Sequence, residues 1–277
     1  MRISRQLPII LILISILGYT VSFSQVDRYR RNNRLESRIA YIPPVGMLKV
    51  ISLDYKGIVS KLLLFRGMVY YGERQEQNVR QDLPWMYNSF EASTTLDPYN
   101  IDSYYFAQAT LPWDGMVAET NRILERGMKH RDWDFYIPFF IGFNHFHFLG
   151  DDAKAAEYFD IAAKLNPALI ELSLKFHYRA NQIPVAIAIL EELYSKINNE
   201  EIRKNITTRI EAYTGADTLY KGVQAYKKRY NNIPHPLNQL IVRGIIEEIP
   251  KDPYGGEFYY DAKEDRIKTT SNFLFKK

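Results

Sequence analysis

The strongest constraint on what this chain can fold into is residues 135–167, FYIPFFIGFNHFHFLGDDAKAAEYFDIAAKLNP. The stretch reads as two helices folded back on each other across a tight turn at Gly150-Asp151-Asp152. Its second helix carries small residues, Ala155 and Ala162, where two helices approach closely. It carries a large one, Phe159, where they interlock, and Pro167 ends it. Such a hairpin cannot bury its apolar face alone, so its neighbours are expected to repeat it. Pro98 lies 69 residues before Pro167, with Asp132-Trp133 midway. All three places read as a helix end followed by a new start. Between the first two, Gly115 takes the turn position, and Thr120, Leu124 and Gly127 take the places of Ala155, Phe159 and Ala162. Further on, Asn181-Gln182 forms the turn, and Ala186, Leu190 and Leu193 recur. An earlier, looser unit has Phe90 and Ser93 in its second helix and residues 47–71 as its first, joined by a long linker, 72–84.

With these registers in place, residues 47–213 resemble a bacterial tetratricopeptide-repeat (TPR) protein, whose period is about 34 residues. The likeness is clearest over 135–167. One departure is the spacing from Gly142 to Gly150, one residue longer than usual, which leaves the register of the 143–148 face open by one position. The resemblance implies a right-handed superhelix with a concave groove lined by the first helix of each repeat. Carrying the groove positions over places Tyr105 and Trp113 there, then Tyr136, Phe139, Phe143 and His147, then Lys175, Tyr178 and Arg179. An aromatic floor with a basic end suits an extended protein or peptide segment, the rings supplying buried area and the cations taking a carboxylate. Tyr178 and Arg179 are the best placed, whereas Phe143 reads equally as packing between repeats.

The termini differ in style from this middle. Arg2 and Arg5 precede an uncharged run, residues 7–23, at the lower limit for spanning a bilayer. It reads either as a retained signal anchor or as a cleavable signal peptide with a small-x-small site at Ser22-Phe23-Ser24. Arg28, Arg30, Arg31 and Arg34 follow the run and by the positive-inside rule favour a cytoplasmic body. The signal-like layout favours export instead. At the other end, residues 198–213 and 219–230 read as two helices. A short helix over 237–243 ended by Gly244 follows, then two strands around Asp261–Asp265. The order helix, Pro, short helix and IPKDPYGGEFYY resembles the C-terminal part of the major pseudopilin of type II secretion, over about 45 residues. A pilin processing site and the glutamate within the apolar helix are both missing, so the resemblance implies a structural module rather than a pilin subunit. It also favours export, and the body is expected on the periplasmic side of the inner membrane, held by a single pass.

Composition narrows the chemistry. Net charge is +4, but the first 40 residues hold seven arginines against Asp27 and Glu36, which leaves the remainder at −1. A near-neutral body argues against nucleic acid as a partner. With zero Cys there is no disulfide, thiol nucleophile or thiolate metal site. His145 and His147 stand at i and i+2, pointing about 200° apart on a helix, so they do not share a metal; His145 and His177 fall where the repeat places a packing ring. No H-E-x-x-H, P-loop, G-x-G-x-x-G or G-x-S-x-G sequence occurs.

The expectation is thus a mainly α protein: a TPR-like helical-hairpin solenoid followed by a small α/β tail with a short β-hairpin. Residues 1–25 form the signal anchor or signal peptide, 26–46 a basic linker, 47–213 the solenoid and 214–277 the pseudopilin-like module. The function expected is a membrane-anchored scaffold that binds partner segments in its groove, in assembly of a secretion, pilus or polysaccharide system. It is not expected to be an enzyme, and no cofactor, metal or small-molecule substrate is indicated. Two alternatives stand beside it: an envelope hydrolase with a site built from distant carboxylates, and a structural subunit packing through its C-terminal module.

Overall fold

The computed structural model describes residues 3–32, 41–77 and 83–271, and among these the side chains of 11–28, 41–72 and 83–271. The described chain is mainly helical, with one two-stranded antiparallel sheet near its C-terminus, in agreement with the expected fold class. It divides into two compact units, Met1–Asp114 and Gly115–Lys277.

The N-terminal unit contains α1 (Ile3–Asn32), α2 (Val45–Ile51), a 3-10 turn at Leu53–Tyr55, α3 (Lys56–Gln77), α4 (Leu83–Leu96), α5 (Ile101–Thr110) and a 3-10 turn at Leu111–Asp114. Helix α1 contains the uncharged run and continues past it to Asn32, so the segment expected as a basic linker begins as helix. The apolar side chains from Leu11 to Phe23 are exposed all round. Among the described residues no helix is long and apolar enough to cross a membrane; the side chains of 7–10, where the expected run begins, lie outside them.

The single helix expected over 47–71 is broken. Ser52 bonds back to the Leu48 carbonyl through its N–H at 2.9 Å and through its hydroxyl, and Leu53 then takes a left-handed φ of 45°. The linker expected over 72–84 is shorter than supposed, because α3 runs to Gln77; residues 78–82 lie outside the described ones. Helices α3 and α4 meet through small residues. The Ser60 hydroxyl donates to the Ser93 carbonyl at 2.9 Å, Ser93 returns a bond to the Ser60 carbonyl at 2.8 Å, and Gly67 lies against the buried Phe90 ring. Hydroxyls bonded to backbone let two helices approach without orphaning a polar group.

The C-terminal unit continues with α6 (Val117–Met128), α7 (Tyr136–His147), α8 (Asp152–Leu165), a 3-10 turn at Pro167–Leu169, α9 (Ile170–Arg179), α10 (Ile183–Lys196), α11 (Glu200–Tyr230), α12 (Gln239–Val242), β1 (Phe258–Asp261) and β2 (Arg266–Thr269). From α6 to α11 each helix packs on the next in sequence. Of the repeated positions, Thr120, Leu124, Gly127, Ala155, Phe159, Ala162, Ala186 and Leu190 are buried, while Leu193 is half-buried. At the three expected turns, Gly115, Gly150 and Asn181 hold left-handed φ values of 87°, 65° and 56°, a conformation open to glycine and tolerated by asparagine. Asp151 caps α8 by accepting the Lys154 N–H at 3.0 Å.

One expectation at the tail is corrected. Helices 198–213 and 219–230 are a single 31-residue helix, α11, with no break at Gly215. That glycine signals close approach rather than a loop. A Cβ there would stand 3.1 Å from Pro250 Cβ and 3.3 Å from Phe258, and one at Gly222 would stand 3.2 Å from both Leu240 and Ile246. Seven residues apart, the two glycines lie on one helix face and form the seat for the returning tail. A boundary at 213/214 therefore falls inside α11. The hairpin pairs Phe258 with Thr269 and Tyr260 with Ile267, and Phe258 and Ile267 join the core formed by Leu174, Tyr178, Leu190, Tyr213 and Leu219.

Candidate functional site

The contacts of Gly142 settle which ring of α7 faces where. Gly142 lies against Phe159 and Ala155: a Cβ there would stand 2.9 Å from the Phe159 ring. Residues one turn either side of Gly142 therefore point inward. Phe139 lies 5.7 Å from Phe159, and Phe146 lies 4.9 Å from Phe176. Phe139, expected in the groove, is thus a packing residue between helices.

Tyr136, Phe143 and His147 lie on a different face of α7, together with Phe140, at i, i+4, i+7 and i+11. Tyr136 stacks on Phe140 at 6.0 Å, and Phe143 on His147 at 5.1 Å with their planes 11° apart. Tyr136 is 45% exposed, His147 is exposed, and Phe140 and Phe143 are half-buried. The sequence reading missed Phe140, although the same four-three-four spacing was there to find it. Tyr105, half-buried on α5, and Trp113, exposed in the 3-10 turn at Leu111–Asp114, belong to the N-terminal unit.

The residues expected at the basic end are placed otherwise. Tyr178 is only 4% exposed; its hydroxyl donates to the Ile267 carbonyl on β2, and its ring meets Tyr213 edge-on at 5.6 Å. Burial pushes the pKa of its hydroxyl well above the ordinary tyrosine value. Arg179 donates through Nε to both Asp152 carboxylate oxygens, at 3.1 and 3.2 Å, and its guanidinium lies 5.0 Å from Phe146 and 5.4 Å from Phe176. The carboxylate it was expected to take from a ligand is supplied by α8. Lys175 is half-buried on α9.

The hairpin is held by a second polar group of contacts. The Asn181 amide donates to the Asp265 carbonyl at 3.1 Å, and the Asp265 carboxylate accepts from Lys227 at 3.0 Å, Gln224 at 3.2 Å and Tyr260 at 2.5 Å. Burial works against its ionisation, but these donors outweigh it and hold the carboxyl below its ordinary value. Asp252 is held the same way: against its burial stand the Ser271 and Thr269 hydroxyls and the Tyr254 and Gly256 N–H groups. Both carboxylates thus have folded pKa values below their unfolded ones. Their stabilisation is present above the ordinary carboxylate pKa of about 4 and is lost as pH falls through the folded values. Acidification from about pH 6 to about pH 3 is therefore expected to loosen the hairpin before α7 and α8. Amide exchange at Arg266–Thr269 against exchange in α8 measures this, and Asp265→Asn should flatten the acid dependence. Equal acid sensitivity in both places would show that these carboxylates do not hold the hairpin.

Three residue types of a hydrolase triad also meet, but in the wrong order. His177 Nε2 lies 2.8 Å from Asp160 Oδ2 and Nδ1 lies 2.9 Å from Gln182 Oε1, while the Ser173 hydroxyl donates to Asp160 Oδ1. The carboxylate stands between serine and histidine, so the imidazole has no access to the serine proton, and Ser173 is 1% exposed. The arrangement ties α8 to α9. His145 is buried, stacked on Tyr158 at 5.6 Å, with Nδ1 lacking a hydrogen-bond partner; burial, helped by Lys154, lowers its pKa and favours the neutral ring. Among the described residues no group of three or more His, Asp or Glu side chains is placed to hold a metal ion. No protein-family model matches this chain, and no curated protein matches it in sequence.

Proposed function

We propose that this chain is a membrane-anchored, TPR-like scaffold that captures extended protein segments, and that α7 supplies the contact face. The observation that carries the reading is the stripe of Tyr136, Phe140, Phe143 and His147: two stacked pairs of rings along one face, with Tyr136 and His147 open to solvent. Rings of this kind give large contact area at low entropic cost and act as anchors in peptide recognition. The anchor is α1, whose residues 11–23 are uncharged and exposed on every side; tethering to a membrane raises the local concentration of partners there. The body lies on the periplasmic side, and the partners are components of an envelope assembly system.

The test is site-specific photocrosslinking from position 147 in intact cells, with a periplasm-active reporter fused after Lys277. An active reporter and a discrete crosslinked protein are expected. Tyr136→Ala with Phe143→Ala should reduce that crosslink roughly tenfold, as hot-spot truncations of 1–2 kcal/mol do, and leave the fold intact by circular dichroism. A crosslink that survives the double substitution undiminished sinks the stripe as the contact face; a silent reporter sinks the periplasmic placement.

A further inference from the structure

We infer that the outer face of α2 and α3 is a second membrane contact, a peripheral docking surface for anionic lipid. On α3, Ile58, Leu62, Phe65 and Val69 recur at four-three-four spacing, and each is between 41% and 63% exposed; Ile51 on α2 and Tyr55 in the 3-10 turn are exposed as well. Their neighbours Leu63 and Leu64 point the other way and are buried. Helix α3 thus has two apolar faces, one in the core and one open. Met68 is exposed beside the row on α3, which makes the face wider than the two-in-seven seam a single partner helix covers; Met47, Val50 and Leu53 add exposed apolar side chains on α2 and the turn that follows it. An apolar face this broad marks an interaction surface.

Charge identifies the occupant. On α3 the row is bordered by Lys61, next to Ile58 and Phe65, and by Arg66, next to Leu62 and Val69, with no acid between Lys56 and Gly72; Lys61 is exposed and Arg66 half-buried. Two copies meeting through this face would bring like charges together. An anionic bilayer surface satisfies both properties at once: the apolar row enters the acyl boundary and the cations meet headgroups. The face also belongs to the same compact unit as α1, and rests on the anchor reading only in that α1 brings it to a bilayer.

The absence of cysteine makes the test clean. Single cysteines at Phe65→Cys (α3 face), Leu13→Cys (α1) and Lys204→Cys (exposed polar control on α11) carry an environment-sensitive dye in the full chain. The chain is mixed with phosphatidylglycerol/phosphatidylcholine vesicles containing brominated lipid. Expected are a blue shift and quenching at position 65, none at 204, and weaker quenching in pure phosphatidylcholine or at high salt. Lys61→Gln should weaken the phosphatidylglycerol-dependent part about fivefold. Quenching at 13 but not at 65 overturns the inference and leaves the anchor standing. Quenching at 65 but not at 13 supports the inference and removes the anchor. A blue shift at 65 that follows protein concentration in the absence of lipid assigns the face to a second copy and overturns the inference. Leu62→Cys repeats the measurement on the same face should Phe65→Cys fold poorly.

Discussion

Phe159→Ala is expected to destabilise the C-terminal unit by about 3–5 kcal/mol, the range for truncating a large buried ring. Phe159 is 2% exposed and stands where three helices meet: its ring lies 5.7 Å from Phe139 on α7 and 4.8 Å from Phe176 on α9. The α7 backbone comes close because Gly142 presents no side chain there. Against a typical total of about 5–15 kcal/mol, a loss of this size leaves the unit marginal or unfolded. Urea unfolding followed by far-ultraviolet circular dichroism measures it. A loss below about 1 kcal/mol would show that α7, α8 and α9 do not interlock through this ring. The reverse change, Gly142→Val, drives a side chain into the same contact and is expected to cost about 1–3 kcal/mol as overpacking.

Substituting Tyr178 separates two readings of one residue. As a groove residue, Tyr178→Ala would weaken a partner and leave stability alone. Its burial, its contact with Tyr213 and its bond to the Ile267 carbonyl on β2 lead to the opposite result. Tyr178→Ala is expected to cost about 3–5 kcal/mol and to release the hairpin from α9. Tyr178→Phe keeps the ring and removes only the donor, at about 1 kcal/mol. Equilibrium unfolding with amide exchange at Arg266–Thr269 distinguishes them. A stable Tyr178→Ala protein with full protection of the hairpin would return the residue to the groove. The hairpin's docking through Tyr178, Asn181 and Asp265 also bears on dissection of the chain. Removing residues 216–277 would cut α11 in half and uncover the core around Leu174, Tyr178 and Tyr213, so the C-terminal module is not separable from the helices before it.

Much of the fold was legible because it rests on local signals. The turns at Gly115, Gly150 and Asn181 need a left-handed residue, and the sequence places glycine or asparagine there. The small and large positions of α6, α8 and α10 mark where helices touch, and period alone reveals them. Gly215 shows where such reading fails. A glycine inside a polar stretch has the same local appearance whether it ends a helix or admits a distant chain. Only the arrival of Pro250 and Phe258 identifies it as the latter. The placing of Tyr178 and Arg179 in the groove went astray for a related reason. Tyr178 and Arg179 are amphipathic residues at the end of a helix, and nothing local says whether the polar tip meets solvent, a β-strand carbonyl or an aspartate brought back from α8.

The sequence by itself determined the local elements: mainly helical hairpins of nearly constant length, their turns, their interlocking positions and a β-hairpin at the end. These follow from backbone freedom at glycine, from proline stops and from a 3.6-residue apolar period, each a property of a few neighbouring residues. Only the tertiary structure decided which rings of α7 are core and which are open, that α11 is continuous, and that Arg179 is neutralised by Asp152. It also decided that α3 keeps an apolar face uncovered. These depend on what arrives from far along the chain, because burial and charge pairing are properties of contacts, and a contact has two partners.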